Sequence, residues 1–214
     1  MGCIAPSFVV NPVTASAFEL LAESIISQEY LRHVGRATFF PTSLKDFQDI
    51  SIGFGNSALF IGFLKANNKL SVSQLLALSA SGLVSVPDLM THDLPRRAEF
   101  YEIKPNSRDG VPAGRAKIAG LAALFSFLGL PYRAGTIWRP DTRIKLWSGY
   151  ITGAWIEAYL HYFRSTTTDG LILYEICIEG EIQKALEHLA LAVLVATVIV
   201  IVLGLVPLPI PVPA

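Results

Sequence analysis

Two short segments decide the fold: Val86-Pro87-Asp88-Leu89-Met90 and Phe100-Tyr101-Glu102-Ile103-Lys104-Pro105. In the second segment the residues alternate with the period of a strand, because successive side chains of a strand point to opposite faces of the sheet. Glu102 and Lys104 are two residues apart, so we expect both to project from the same face.

A second strand is predicted just before Asp88. The apolar run Leu83-Val84-Ser85-Val86 has the composition of a strand, and Asp88 follows it closely. Pro95 and the pair Arg96-Arg97 lie between the two strands and are typical of a hairpin turn. If the strands pair, Asp88 meets Glu102 and Lys104 at one edge of the sheet.

Two carboxylates and an ammonium group that converge on one point suit metal-assisted hydrolysis. Carboxylate oxygens are ligands that Mg²⁺ and Mn²⁺ prefer, with water and substrate phosphate completing the coordination. The alternative is a surface hairpin that carries ordinary charges.

The two cysteines do not indicate a zinc site. The sequence has no CxxC motif and no Cys/His cluster, so we predict no structural zinc. Cys177 is expected to be a small buried apolar residue.

These motifs resemble the PD-(D/E)XK nuclease superfamily, which has the restriction-endonuclease-like fold. The motif stands here as Pro87-Asp88 followed by Glu102-Ile103-Lys104. The sequence Glu-Ile-Lys-Pro-Asn-Ser, a loop with glycine, and a helix that opens Ala113-Gly114-Arg115-Ala116-Lys117 are similar to restriction-endonuclease-fold toxin domains of bacterial polymorphic toxins and secretion-system effectors. The resemblance covers residues 83–180.

The resemblance implies an α/β (α+β) fold with a mixed central sheet flanked by helices, and a Mg²⁺- or Mn²⁺-dependent endonuclease. DNA is the favoured substrate, and RNA is the alternative. It implies that Asp88 and Glu102 hold the metal, with the Ile103 carbonyl as a further ligand. Lys104 would orient the attacking water or help to deprotonate it. The implied setting is a bacterial effector that acts in the cytoplasm of a target cell and is neutralised by a cognate immunity protein.

An N-terminal helix offers two further acids. Ser16 and Glu19 form a capping-box pattern that predicts a helix from there to about Val34-Gly35. Glu19 and Glu23 are four residues apart and therefore share a face. Members of the superfamily often use an acid from such a helix to assist the metal, but a solvated helix face is the favoured interpretation of these two residues.

Three residues around the next predicted helix are candidates for substrate binding. The helix spans residues 113–128, is apolar nearly all round and is therefore predicted to lie in the core. Arg115 and Lys117 lie near its N-terminus, where cations oppose the helix dipole, so we expect an anion such as a substrate phosphate nearby. Ser107, in the preceding loop, is placed with them. The related toxin domains commonly have Gln at the position of Lys117.

The chain has 214 residues, no net charge, 52% hydrophobic and 16% charged residues. Residues 88–146 hold ten lysines and arginines against six acids, which suits a phosphodiester substrate. We predict a helical N-terminal region over residues 1–82, a nuclease core over 83–182, and a hydrophobic helix with a proline-rich tail over 183–214.

The tail supports alternative functions. Residues 189–206 carry no charge over the minimum length of a membrane-spanning helix. They could enter a membrane, or pack on a partner such as the immunity protein or a second copy; an ordinary core helix is the weaker alternative. The rival function is therefore a membrane-active or membrane-anchored toxin in which the nuclease fold is only a scaffold. A catalytically silent binding module of the same fold is a third alternative.

Overall fold

The computed structural model describes residues 2–4, 12–34, 38–39, 55–74, 86–93, 97–151 and 153–180. They form a mixed α+β fold in which a curled mixed sheet is flanked by helices, as predicted. The elements, in chain order, are β1 (Gly2–Ile4), α1 (Pro12–Val34), β2 (Thr38–Phe39), α2 (Gly55–Asn67), β3 (Leu89–Asp93), β4 (Arg97–Pro105), α3 (Gly110–Phe127), β5 (Arg133–Ala134), β6 (Asp141–Ile151), β7 (Ala154–Arg164) and β8 (Leu171–Glu179).

Strand β4 lies inside the sheet, whose order is β2-β3-β4-β8-β7-β6. It pairs antiparallel with β3, where Leu89 is opposite Tyr101, and parallel with β8, where Glu102 is opposite Leu171. Strand β5 also pairs with β4, and β1 pairs with β8. A strand before Pro95 does pair with the strand of Glu102 and Lys104, but this strand is Leu89–Asp93 and not the predicted run 83–86. Residues 94–96 lie outside the described part of the chain.

The apolar run before Asp88 predicted that Asp88 lies at the end of a strand. In the structure Asp88 instead comes directly before the strand β3. Val86 and Pro87 are not extended in a ladder, and residues 83–85 lie outside the described residues. Pro87 has no N–H group to donate to a neighbouring strand, which agrees with strand pairing that begins only after it.

Strand β8 is apolar along its length because both of its faces are covered. Ile172, Tyr174 and Ile176 belong to a cluster of buried residues on one side of the sheet, together with residues of α1. Leu171 and Leu173 belong to a second cluster on the other side, with residues of α3. This apolar run begins at Leu171, and the strand continues to Glu179.

Helix α1 begins at Pro12, four residues before the predicted start, and its first turn accommodates a proline well. Its buried residues recur every four positions: Phe18, Ala22, Ile26 and Tyr30. Leu31 is 46% exposed because it is one residue further round the helix than Tyr30.

Helix α3 was predicted as a core helix, but in the described structure only one face is buried. Gly114, Ile118, Leu121 and Phe125 face the sheet. Phe127, at the end of the helix, is 80% exposed. An apolar composition alone did not show which side of the helix packs.

The N-terminus contributes a strand that the sequence pattern missed. Cys3 on β1 is opposite Cys177 on β8 and forms a disulfide with it. Cys177 is buried, as predicted, but it is bonded and not a free thiol.

The hydrophobic segment 189–206 lies outside the described residues. Within the part of the chain that the structure describes, no helix is long and apolar enough to cross a membrane.

Candidate active site

The backbone fixes Asp88 beside the middle of β4. The first residue of β3, Leu89, is opposite Tyr101. Asp88 comes just before Leu89 in the chain and therefore lies beside Glu102 and Ile103, the two residues that follow Tyr101 on β4. Its Oδ2 atom accepts a hydrogen bond of 2.7 Å from the N–H of Ile103. The Asp88 side chain thus pairs with β4 at the position where the backbone would pair if β3 began earlier in the chain.

The carbonyl of Ile103 is turned toward the same edge. In an extended strand the N–H and C=O of one residue point to the same neighbouring strand. Because the N–H of Ile103 points to Asp88, its carbonyl is expected on the Asp88 side of β4 as well. This is the direction required of the further metal ligand predicted at Ile103.

The ammonium group of Lys104 contacts acidic side chains of α1, of β4 and of the segment just before β3. Its Nζ atom lies 3.0 Å from Oε1 of Glu102 and 3.8 Å from Oδ2 of Asp88. The same atom lies 3.5 Å from Oε1 of Glu19 and 3.9 Å from Oε1 of Glu23, both on α1. The structure therefore brings the predicted triad together and adds both acids of the N-terminal helix.

Glu23 does not belong to a solvated helix face. It is buried, and Glu19 beside it is partly buried, so the favoured solvent-facing interpretation is wrong for Glu23. The sequence signal was present in the four-residue spacing, but the spacing alone could not show toward which side this face of α1 turns.

Lys117 lies inside the cluster. Its Nζ atom is 2.7 Å from Oε1 of Glu102 and 3.1 Å from Oδ1 of Asp88. Gly114, one turn earlier, lets α3 approach the sheet: a Cβ atom there would lie 2.5 Å from Cδ1 of Leu171 and 3.2 Å from Cγ of Lys104. A glycine three residues before a lysine was the only sequence signal for this contact, and sequence analysis did not use it.

The six side chains hold more negative than positive charge. Four carboxylates (Glu19, Glu23, Asp88, Glu102) surround two ammonium groups (Lys104, Lys117), a formal excess of two negative charges when all are ionised. This excess equals the charge of one divalent cation.

The acids have different proton affinities. Burial disfavours the charge on Asp88, but Lys117 and Lys104 outweigh burial and lower the pKa of its carboxyl group. Burial, followed by the charge of Asp88, raises the pKa of Glu102 from 4.5 to about 8. The same two causes raise the pKa of Glu23 to about 8.

Both lysines are held as ammonium ions. Burial would lower the pKa of Lys104 and of Lys117, but the charges of Asp88 and Glu102 outweigh it and raise both pKa values above the ordinary one. An ammonium ion donates hydrogen bonds and cannot accept a proton.

The carboxylate of Glu102 has no exposed surface, and neither of its oxygens receives a hydrogen bond with acceptable geometry from the described residues. Its Oε1 atom lies 3.0 Å from Nζ of Lys104 and 2.7 Å from Nζ of Lys117, so the two ammonium groups compensate part of the charge of an ionised Glu102. A buried carboxylate without hydrogen bonds is costly, and metal coordination is one way to compensate for it. The donor set of two carboxylates and a carbonyl is what a hard divalent cation prefers.

Ser107 and Arg115 have contacts outside this cluster. Ser107 Oγ accepts a hydrogen bond of 2.9 Å from the N–H of Gly110 at the start of α3. Arg115 is exposed and donates hydrogen bonds to the hydroxyl groups of Thr167 and Thr168, at 2.6 and 3.1 Å. No contact between either residue and the acidic cluster appears in the described structure, and their substrate-binding roles stay predictions.

Comparisons with protein-family models, with curated proteins and with solved structures found no match for this chain. The chemistry of the cluster is therefore given by its own side chains. Buried carboxylates beside a carbonyl can hold a hard divalent cation, and a lysine ammonium next to them can bind an anionic oxygen.

Proposed function

We propose that this protein is a metal-dependent nuclease of the PD-(D/E)XK type with a restriction-endonuclease-like core. The observation that carries the proposal is the meeting of Asp88, Glu102 and Lys104 at the end of the β3–β4 pair, with Lys104 Nζ 3.0 Å from Glu102 and 3.8 Å from Asp88. Two buried carboxyl groups, one with a lowered pKa and one with a pKa raised to about 8, lie next to a fixed ammonium group. This arrangement suits metal-assisted hydrolysis of a phosphodiester better than a structural ion pair.

Asp88, Glu102 and the carbonyl of Ile103 would hold Mg²⁺ or Mn²⁺. Glu23, whose Oε1 atom lies 3.9 Å from Nζ of Lys104, would assist these ligands. When bound, such a cation lowers the pKa of coordinated water and polarises the phosphoryl oxygen. The low pKa of Asp88 keeps one ligand ionised without the metal, while Glu102 gives up its proton when a cation binds.

Lys104 acts as a donor. Its raised pKa keeps it charged at neutral pH, so it orients the attacking water and stabilises the negative charge that develops on the phosphate. Of the two roles expected for this lysine, orientation is favoured over proton abstraction, because an ammonium group has no lone pair with which to take a proton.

DNA is the proposed substrate, and a bacterial antagonistic effector acting in the cytoplasm of a target cell is the proposed setting. The excess of lysine and arginine over residues 88–146 supports a polyanionic substrate. A cognate immunity protein that covers the site is the proposed partner, since an enzyme that cuts DNA must be inhibited in the cell that makes it.

The decisive experiment incubates supercoiled plasmid with the protein in Mg²⁺ and in EDTA, beside Glu102→Gln and the matched control Glu157→Gln. Glu157 is an acid of β7 that pairs with Lys145 at the surface. We expect cutting that needs metal, that disappears in Glu102→Gln and that persists in the control. Calorimetry should show that Mn²⁺ binding disappears with the same variant. Metal-independent cutting, or a fully active Glu102→Gln variant, would contradict the mechanism.

A further inference from the structure

A second cluster of metal-ligating side chains lies on strands β1, β7 and β8, independent of the proposed nuclease site. Cys3 is opposite Cys177, and His161 is opposite Glu175. Because Glu175 and Cys177 are two residues apart on β8, all four side chains project from one face of the sheet. Strand pairing, which fixes the backbone, therefore holds these four residues together.

The ligand atoms are close enough for one ion. The two Sγ atoms, a ring nitrogen of His161 and a carboxylate oxygen of Glu175 all lie within 4.8 Å of one another. Tetrahedral zinc has bonds of about 2.0–2.3 Å to nitrogen, oxygen and sulfur, which places its ligand atoms roughly 3.3–3.8 Å apart. The two Sγ atoms are bonded to each other in the oxidised protein and must move apart to this spacing once the disulfide is reduced.

The surroundings of His161 are those of a metal ligand. Its Nε2 atom lies 2.9 Å from Oδ1 of Asp141, and its Nδ1 atom lies 2.9 Å from Oε1 of Glu175. Histidines that bind metals usually donate the other ring N–H to a carboxylate, which fixes the tautomer. If Nε2–H is donated to Asp141, the lone pair of Nδ1 faces the cluster.

Glu175 is also supported from outside the cluster. Its Oε2 atom accepts a hydrogen bond of 2.9 Å from the side-chain amide of Asn106, which leaves Oε1 directed to His161. Both oxygen and nitrogen ligands are thus oriented by a neighbour that would not itself touch the ion.

We propose that reduction of the Cys3–Cys177 disulfide creates a zinc site formed by Cys3, Cys177, His161 and Glu175. A dithiol reductant supplies two electrons and two protons, the S–S bond breaks to give two thiols, and the dithiol closes to its own disulfide. When zinc binds, each thiol loses its proton to solvent and two thiolates become ligands. Disulfide and zinc are therefore alternative ways to fasten β1 to β8.

The ligand types select the metal. Thiolate and imidazole favour zinc and related transition metals, whereas Mg²⁺ and Ca²⁺ prefer oxygen ligands. The predicted absence of structural zinc rested on the lack of Cys and His motifs close in sequence, but Cys3 and Cys177 are 174 residues apart and meet only in the sheet.

The test uses the full-length protein, reduced with a dithiol that is then removed without oxygen, and titrated with Co²⁺ as a spectroscopic substitute for zinc. We expect one Co²⁺ per chain to give a thiolate-to-metal charge-transfer band and the intense visible bands of a tetrahedral site, and one Zn²⁺ to remove these bands. Co²⁺ bound by the oxygen ligands of the acidic cluster would give no charge-transfer band. The oxidised protein should give no charge-transfer band.

Variants separate this site from the acidic cluster. Cys177→Ser should abolish the charge-transfer band, and Asp141→Asn should weaken zinc binding by about 10–100-fold through the orientation of His161. Glu102→Gln should leave the band and the zinc affinity unchanged. Far-UV circular dichroism of every sample, with and without zinc, checks the fold.

The proposal fails if the reduced wild-type protein binds Co²⁺ without a charge-transfer band or does not bind it. It also fails if Glu102→Gln removes the binding, or if the reduced chain unfolds and zinc does not restore its structure. A zinc-binding site in a protein without any nuclease activity would leave this proposal intact while removing the proposed function.

Discussion

Lys117 Nζ lies 2.7 Å from Oε1 of Glu102 and bridges this carboxylate to Asp88, 3.1 Å away. A lysine of α3 is therefore in contact with both carboxylates that we propose as metal ligands. Its ammonium group and a divalent cation compete for the same oxygen atoms. Binding of the metal requires Lys117 to give up part of these contacts.

Replacing Lys117 by methionine should therefore strengthen metal binding. Lys117→Met keeps the length and apolar stem of the side chain and removes the competing charge. We expect the protein to bind Mn²⁺ about 10-fold more tightly, which corresponds to ~1.4 kcal/mol, in calorimetric titrations at neutral pH.

Arg115→Met is the matched control, because Arg115 lies on the same helix and its guanidinium group contacts the hydroxyl groups of Thr167 and Thr168. Its Mn²⁺ affinity should equal that of the wild type. An unchanged or weaker affinity in Lys117→Met would show that this lysine does not compete with the metal.

Stability without metal should decrease as the pH rises. The pKa of Glu102 is raised from 4.5 to about 8 in the folded protein, so the folded state holds a proton that the unfolded state loses between these values. The free energy of unfolding should fall across pH 5–8 by up to about 1.4 kcal/mol per pH unit for each such group. Asp88 does not reverse this trend, because its lowered pKa affects stability only in more acidic solution.

Urea unfolding in EDTA at several pH values measures this slope. Glu102→Gln stays neutral at every pH and should make the slope smaller, whereas Glu29→Gln, which removes a helix-surface acid paired with Arg32, should not. Equal slopes in Glu102→Gln and the wild type would mean that Glu102 titrates normally in the folded protein.

The sequence predicted the triad because its members lie on strands that are adjacent along the chain. The alternation over residues 100–104 placed Glu102 and Lys104 on one face of their strand. The chain between Asp88 and this strand is short, so the strand beside Asp88 was the expected pairing partner. The length and apolar character of residues 171–178 likewise indicate a strand, which is β8 in the structure.

The contacts that sequence analysis missed join distant parts of the chain. Cys3 meets Cys177, and Glu23 meets Lys104, only because β1 and α1 pack on strands far along the sequence. Periodicity shows which residues share a face, but it does not show which distant face packs against it. Lys117 was expected near a substrate anion, but its contact with Glu102 and Asp88 was not predicted, since its helix is apolar on several sides.

Ser107 should act on stability and not on substrate binding. Its hydroxyl oxygen accepts a hydrogen bond from the N–H of Gly110, one of the first groups of α3 without a partner inside the helix. Ser107→Ala should lower the free energy of unfolding by ~1 kcal/mol, as loss of a helix cap does, and leave the KM for DNA unchanged. A raised KM with unchanged stability would instead support the substrate-binding role predicted from the sequence.

Two glycines of α3 should respond in opposite ways to the same substitution. A Cβ atom at Gly114 would lie 2.5 Å from Cδ1 of Leu171 and 3.2 Å from Cγ of Lys104, whereas a Cβ atom at Gly120 would meet nothing within 4 Å. Gly120→Ala should stabilise the protein by roughly 0.5–1 kcal/mol, because alanine is the better helix former.

Gly114→Ala should destabilise the protein by about 1–3 kcal/mol, because α3 must move away from β4 and β8. That movement would also separate Lys117 from Glu102 and so remove a cation that competes with the metal. Mn²⁺ should therefore bind more tightly while stability falls, in this variant only. Thermal unfolding and Mn²⁺ titration of both variants measure the two effects. If Gly114→Ala were as stable as Gly120→Ala and bound Mn²⁺ with the same affinity, close packing of α3 would not be what brings Lys117 to the acidic cluster.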